Sequence, residues 1–73
     1  MMRWEIERMK VKMTKYLKCG TTFKRTSKQF ETEVPTEDFN LFINIMGFKA
    51  TSGAGHYWRR TAYDEGETLE VMR

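Results

Sequence analysis

The sequence predicts a small α+β domain, and three observations carry that expectation. A helical pattern follows Pro35, strand-length segments separated by glycine turns come after it, and a hairpin-like alternation comes before it. The expected order is an N-terminal helix (or strand), a β-hairpin, a central helix at about 36–47 and a C-terminal antiparallel β-meander. With 73 residues, the chain is read as one domain, residues 1–73. A chain of this size buries only about 60% of the surface its unfolded form exposes, so its interior is small.

Residues 2–17 read two ways. As a helix, Met2, Ile6, Met9, Met13, Tyr16 and Leu17 share one face, while Trp4 and Val11 point away from it. As a strand, Met9, Val11 and Met13 alternate with Lys10 and Lys12, and Trp4 and Ile6 require a phase slip. The helix is the preferred reading. Thr21, Thr22 and Phe23, then Phe30, Thr32 and Val34, predict the two strands of a hairpin, with Arg25, Thr26, Ser27 and Lys28 as its turn.

The central helix has the most signals. Thr36 suits the N-cap, and Glu37 and Asp38 place carboxylates at the positive end of the helix dipole. Phe39, Phe42, Ile43 and Met46 follow helical spacing, and Leu41 and Ile45 widen the stripe. Gly47 suits the position just past the end, where a left-handed backbone is needed. Residues 48–51 then predict a short strand, Ser52 to Gly55 a turn, residues 56–63 a strand, Asp64, Glu65 and Gly66 a turn, and residues 68–72 a last strand.

Cysteine and histidine usage excludes the usual staples of a small fold. Cys19 is the single cysteine and His56 the single histidine, so neither an internal disulfide nor a four-ligand zinc site is expected. No metal and no cofactor is expected. Cys19 lies beside Lys18 but has no evident base partner, and it is not read as a nucleophile. A lone thiol fits a reducing compartment. No apolar run approaches the roughly 20 residues that span a bilayer, and the opening MMRWEIERMKVKM lacks the apolar core of a signal peptide. A soluble, cytoplasmic protein with no membrane partner is expected. With little interior and no staple, self-association as a homodimer is in keeping with the chain. The six methionines allow the same, since Met2, Met9 and Met13 suit a core or a dimer contact.

The net charge of +3 hides an asymmetry. Residues 1–28 hold nine Lys/Arg and two Glu, giving +7, and residues 29–73 hold four Lys/Arg and eight Asp/Glu, giving −4. The two halves either neutralise one another within the fold, or the basic half presents a patch to phosphate.

The stretch GFKATSGAGHYWRR concentrates the chemistry. Aromatic faces stack on unpaired bases, and arginines bind phosphate. Tyr57 and Trp58 are adjacent and face opposite sides of a strand. The expectation is that Trp58 packs on the helix, with Arg60 on its side reaching Glu37 or Asp38, while Tyr57 and Arg59 share the open face. On a helical N-terminus Arg8, Lys12 and Lys15 form one basic flank, and Lys24, Arg25 and Lys28 sit at the hairpin tip. The expected site is therefore Arg8, Lys12, Lys15, Lys24, Arg25, Lys28, Tyr57 and Arg59. The first reading is a non-catalytic nucleic-acid-binding module for RNA or single-stranded DNA. The alternative is a small phage- or mobile-element-type protein that binds a host protein and inhibits or redirects it.

A third reading comes from residues 39–71. A helix ending in Gly-Phe, a strand, the Gly53-x-Gly55-His56 turn, a second strand, an acidic-Gly turn and a third strand resemble the core of HicA-type mRNA interferase toxins. That resemblance implies a double-stranded-RNA-binding-like fold and a ribonuclease whose catalytic histidine is His56. The sequence departs from the family where Ala54-Gly55 replaces Gly-Ser, and it stops at Arg73, before the family's closing helix. No Ser-His-acid spacing accompanies His56, and no second histidine completes an acid/base pair.

Overall fold

The computed structural model describes residues 7–72. Its elements are β1 (Arg8–Cys19), β2 (Thr22–Pro35), a 3₁₀ turn (Thr36–Asp38), α1 (Phe39–Met46), β3 (Lys49–Ala50), β4 (His56–Ala62) and β5 (Glu65–Met72). The five strands form one antiparallel sheet in the order β2-β1-β5-β4-β3. This overturns the α+β expectation: among the described residues strands make up 65% and helices 17%, and the one short helix there lies on a sheet that is itself the scaffold.

The N-terminal helix is a strand, and burial gives the reason. On β1, Met9, Val11 and Met13 face Val34, Thr32 and Phe30 of β2, and on the other side Val11 and Met13 face Val71 and Leu69 of β5. Val11, which a helix would turn away from the apolar stripe, is fully buried. Period-two alternation puts all three apolar side chains on one face of a strand with neighbours on both sides. That burial outweighs the local helical spacing. The part of the helical reading that rests on Met2, Trp4 and Ile6 lies outside the described residues.

The hairpin turn also differs from expectation. The chain reverses at Gly20-Thr21, with Gly20 at φ 67° and, among the described residues, no non-glycine residue at positive φ. Glycine at the first central position of a two-residue loop is the II′ pattern, whose twist suits a hairpin. The Arg25–Lys28 segment, expected to turn, is instead a bulge in β2. The register passes from Thr14 opposite Gln29 to Tyr16 opposite Arg25, so residues 26–28 stand against Lys15 alone. Thr26 holds the bulge, since its hydroxyl donates to the Lys15 carbonyl at 2.9 Å and accepts from the Lys28 N–H at 3.1 Å. Such an irregularity, flanked by lysine and arginine, blunts the free edge of a long outer strand.

The helix expected over 36–47 is the 3₁₀ turn and α1, and no side chain caps its start, Thr36 included. Gly47 at φ 80° closes it, and its N–H reaches the Asn44 carbonyl at 3.2 Å. Phe39 and Ile43 of α1 bury against Val11, Met13, Val34, Phe48 and Leu69, with Met9, Phe42, Met46, Tyr57 and Val71 around them. The segment between β2 and β3 thus crosses one face of the sheet from edge to edge. The core lies entirely on that face. No helix among the described residues is long and apolar enough to cross a membrane.

Candidate nucleic-acid interface

The sheet face away from α1 is organised in cross-strand rows, because directly opposed residues point the same way. At one end Met72, Lys10 and Glu33 form a row, and His56, Glu70, Lys12 and Glu31 form the next. Trp58, Thr68, Thr14 and Gln29 follow, then Arg60, Gly66, Tyr16 and Arg25, and finally Lys18 opposite Phe23. Charge is therefore polarised along the strands. The first two rows interleave lysine with glutamate, whereas the last two hold Arg60, Arg25 and Lys18 and no carboxylate.

The basic end is built around aromatic rings. Trp58 meets Tyr16 at 5.6 Å and Phe23 at 5.2 Å between ring centroids, both edge to face. The Arg60 guanidinium lies 5.2 Å from the Phe23 ring centre and 5.5 Å from that of Tyr63, and its Nη2 donates to the Tyr63 carbonyl at 2.6 Å. The Lys18 ammonium sits 4.5 Å from the Tyr63 ring centre, within reach of the ring's negative face. The Lys18 N–H donates to the Asp64 carbonyl at 2.8 Å, tying the tip of the β1–β2 hairpin to the β4–β5 turn. Tyr16, Trp58, Phe23, Arg60, Tyr63 and Lys18 thus form one continuous series of contacts.

Two ion pairs occur among the described residues, Lys15 with Glu65 at 3.8 Å and Arg59 with Glu67. Neither uses Lys18, Arg25 or Arg60.

The sidedness expected for β4 is reversed. Tyr57 faces the helix, 5.6 Å from Phe39 between ring centroids, and it stands opposite Leu69. Arg59 lies on the same side, donating from Nε to Glu67 at 2.9 Å and from Nη1 to the Met46 carbonyl at 2.9 Å, with Phe48 4.6 Å beneath its guanidinium. It closes the C-terminal end of α1, where carbonyls lack partners. Trp58 is on the open face, not on the helix, and Arg60 shares its side but bonds the Tyr63 carbonyl in place of Glu37 or Asp38. Register alone decides this, because a one-residue slip exchanges the two faces.

The remaining expected site residues separate. Lys12 stands between Glu31 and Glu70, and Lys15 is opposite Glu67 and paired with Glu65. Arg8 lines a depression of about 430 Å³ with Lys10, Glu31 and Glu33 at the far end of the sheet. Lys24 and Lys28 are exposed on β2, Lys24 opposite Leu17 on the helix side and Lys28 in the bulge. Arg25 alone among the eight joins the aromatic end of the open face. Tyr16, Phe23 and Tyr63 carried no signal as neighbours, since they lie on three elements brought together only by pairing.

His56 is exposed on the open face, one row from Trp58 and away from the basic end, with Glu70 across from it. Its carbonyl accepts from the N–H and the hydroxyl of Thr51, at 3.0 and 3.1 Å. Residues 39–71 form a helix and three strands, but two long strands precede them and β5 pairs with β1, which the resemblance to HicA-type toxins does not imply. The described residues contain no cluster of three or more His, Cys, Asp or Glu able to hold a metal. Compared with known proteins, the chain matches no family model, no curated protein and no solved structure.

Proposed function

We propose that this protein binds nucleic acid through the basic-aromatic end of its open sheet face, with no catalytic step. The observation that carries the reading is the segregation of charge. Cations over the rest of the open face lie beside glutamates, while Lys18, Arg25 and Arg60 gather around Tyr16, Phe23, Trp58 and Tyr63 with no ion-pair partner among the described residues. Cations without partners next to aromatic rings suit a ligand that offers phosphate and base together. The site therefore keeps Arg25 from the sequence-based set and adds Lys18, Arg60 and the four rings.

The test is fluorescence anisotropy of labelled RNA and DNA oligonucleotides across a salt series. Three phosphate contacts give a slope of log K on log salt near −2 for a single strand, at about −0.7 per contact. Replacing Lys18, Arg25 and Arg60 together by Gln abolishes that salt-dependent binding while the fold, followed by circular dichroism, persists. Wild-type protein that binds no oligonucleotide at low salt, or a triple variant that binds as wild type, rejects the reading.

A protein-binding role, of the kind small mobile-element genes encode, draws on a different surface. Leu41 and Ile45 of α1 are 60% and 72% exposed and lie one turn apart on the side of the helix away from the sheet. A stoichiometric complex that survives nuclease treatment and is lost on replacing both by Ser favours that alternative.

A further inference from the structure

Resting on the reading above, we infer that the ligand is an unpaired strand, that Tyr63 is the platform on which one of its bases stacks, and that Lys18 moves from the Tyr63 ring to the adjoining phosphate. Tyr63 is 79% exposed, more than any other large apolar residue identified at the surface. It occupies a two-residue turn between β4 and β5, a position usually given to Gly, Asn or Asp. The core gains nothing from a large ring there.

The ring is nonetheless held in place. Arg60 bonds the Tyr63 carbonyl at 2.6 Å, and the Lys18 N–H bonds the next carbonyl, that of Asp64, at 2.8 Å. An exposed ring on a backbone fixed from both sides needs little further ordering to receive a flat partner. In the free protein Lys18 and Arg60 lie against this ring. A solvent-exposed cation–ring contact is weaker than a base–aromatic stack, so an arriving base displaces the ammonium. The released Lys18 then stands beside the phosphate of the stacked nucleotide, so its charge is used in both states. A duplex conceals its base faces within its own stack and offers the site only phosphates.

The experiment compares a labelled single strand of about 12 nucleotides, within the site sizes usual for such surfaces, with the duplex of the same sequence. Binding is measured for the wild type, Tyr63→Phe, Tyr63→Leu and Lys18→Gln, each first shown to be folded by its thermal transition. The expected result is single-strand binding about tenfold or more tighter than duplex binding. Tyr63→Phe retains it. Tyr63→Leu loses about tenfold or more on the single strand with an unchanged salt slope, and duplex binding does not respond. Lys18→Gln lowers the magnitude of the single-strand slope by about 0.7. Equal affinity for the two forms, or wild-type binding by Tyr63→Leu, overturns this inference. In those cases the interface reading still stands if the Lys18, Arg25 and Arg60 triple variant loses binding. Failure of the wild type to bind either form overturns both.

Discussion

The indole of Trp58 on β4 occupies the space that a Cβ on Gly66 of β5 would need. Gly66 is buried beneath the ring, and Trp58 reaches across it to Tyr16 of β1 and Phe23 of β2. One missing side chain thus lets a single residue join four strands on the face opposite the core. This arrangement gives the open face an aromatic floor that does not depend on α1.

Gly66→Ala removes that space. The indole is wedged between two other rings, so it cannot swing clear without losing them, and overpacking of this kind costs about 1–3 kcal/mol. For a domain this small, each kcal/mol lowers the transition temperature by roughly 4–8 °C. Thermal unfolding followed by tryptophan fluorescence measures the shift. A variant as stable as wild type contradicts the packing described.

Glu67→Gln tests the other face. Arg59 and Glu67 have side chains only 19% and 12% exposed, and Arg59 also binds the last turn of α1 through the Met46 carbonyl. Gln still offers an amide oxygen to Arg59, but the largely buried guanidinium loses its counter-charge, at a cost of about 2 kcal/mol. Denaturant unfolding of Glu67→Gln, Arg59→Met and the double variant gives the coupling. Additive losses show that the pair contributes nothing as a pair.

Gly20→Val places a β-branched residue at φ 67° in the hairpin turn. The left-handed backbone costs such a residue at least about 1 kcal/mol, and the loss falls on the end of β1–β2 that carries Lys18 and Phe23. Hydrogen exchange is expected to accelerate at residues 17–24 before the core amides change. Uniform acceleration across the chain is the contrary result.

Lys12→Gln and Arg60→Gln remove one positive charge each from the same face. Lys12 stands between Glu31 and Glu70, whereas Arg60 lies among rings. Arg60→Gln is expected to reduce oligonucleotide affinity and its salt dependence, by about 0.7 in slope for a single strand. Lys12→Gln is expected to leave both unchanged. Equal losses from the two show that the whole face, not its basic end, carries binding.

Local chemistry made some segments legible. Between Pro35 and Gly47 the apolar spacing and a closing glycine mark a helix without reference to any other element. The strands expected at 56–63 and 68–72 are present, but the turn between them is Tyr63-Asp64, and Glu65 and Gly66, expected to turn, begin β5. The N-terminal segment was ambiguous because Met9, Met13, Tyr16 and Leu17 satisfy the helical spacing while Met9, Val11 and Met13 satisfy the strand spacing. Only the neighbours on both sides of β1 decide between them, and these lie at sequence separations a local pattern does not contain. The polar run at residues 25–28 has the composition of a turn but serves as a bulge, and Gly20-Thr21, the actual turn, is a shorter signal. The faces expected for Tyr57 and Trp58 are exchanged, because two adjacent aromatics carry no local sign of which one points inward. The register opposite β5 places Tyr57 beside Leu69, and a second aromatic cluster on the open face accommodates Trp58. The candidate site, assembled from both hairpins, was correspondingly less legible than the strands that compose it.

β1 is an interior strand of the sheet, yet one of its two neighbours, β5, is supplied by residues 65–72. During synthesis the first hairpin therefore emerges with an open flank, its Val11 and Met13 lacking their β5 partners until about 35 further residues have followed. Assembly must wait for that late arrival, which makes closure of a long loop the slow event. Ribosome-tethered chains stopped before residue 65 should stay protease-sensitive, and protection should appear in one step once β5 has cleared the exit tunnel.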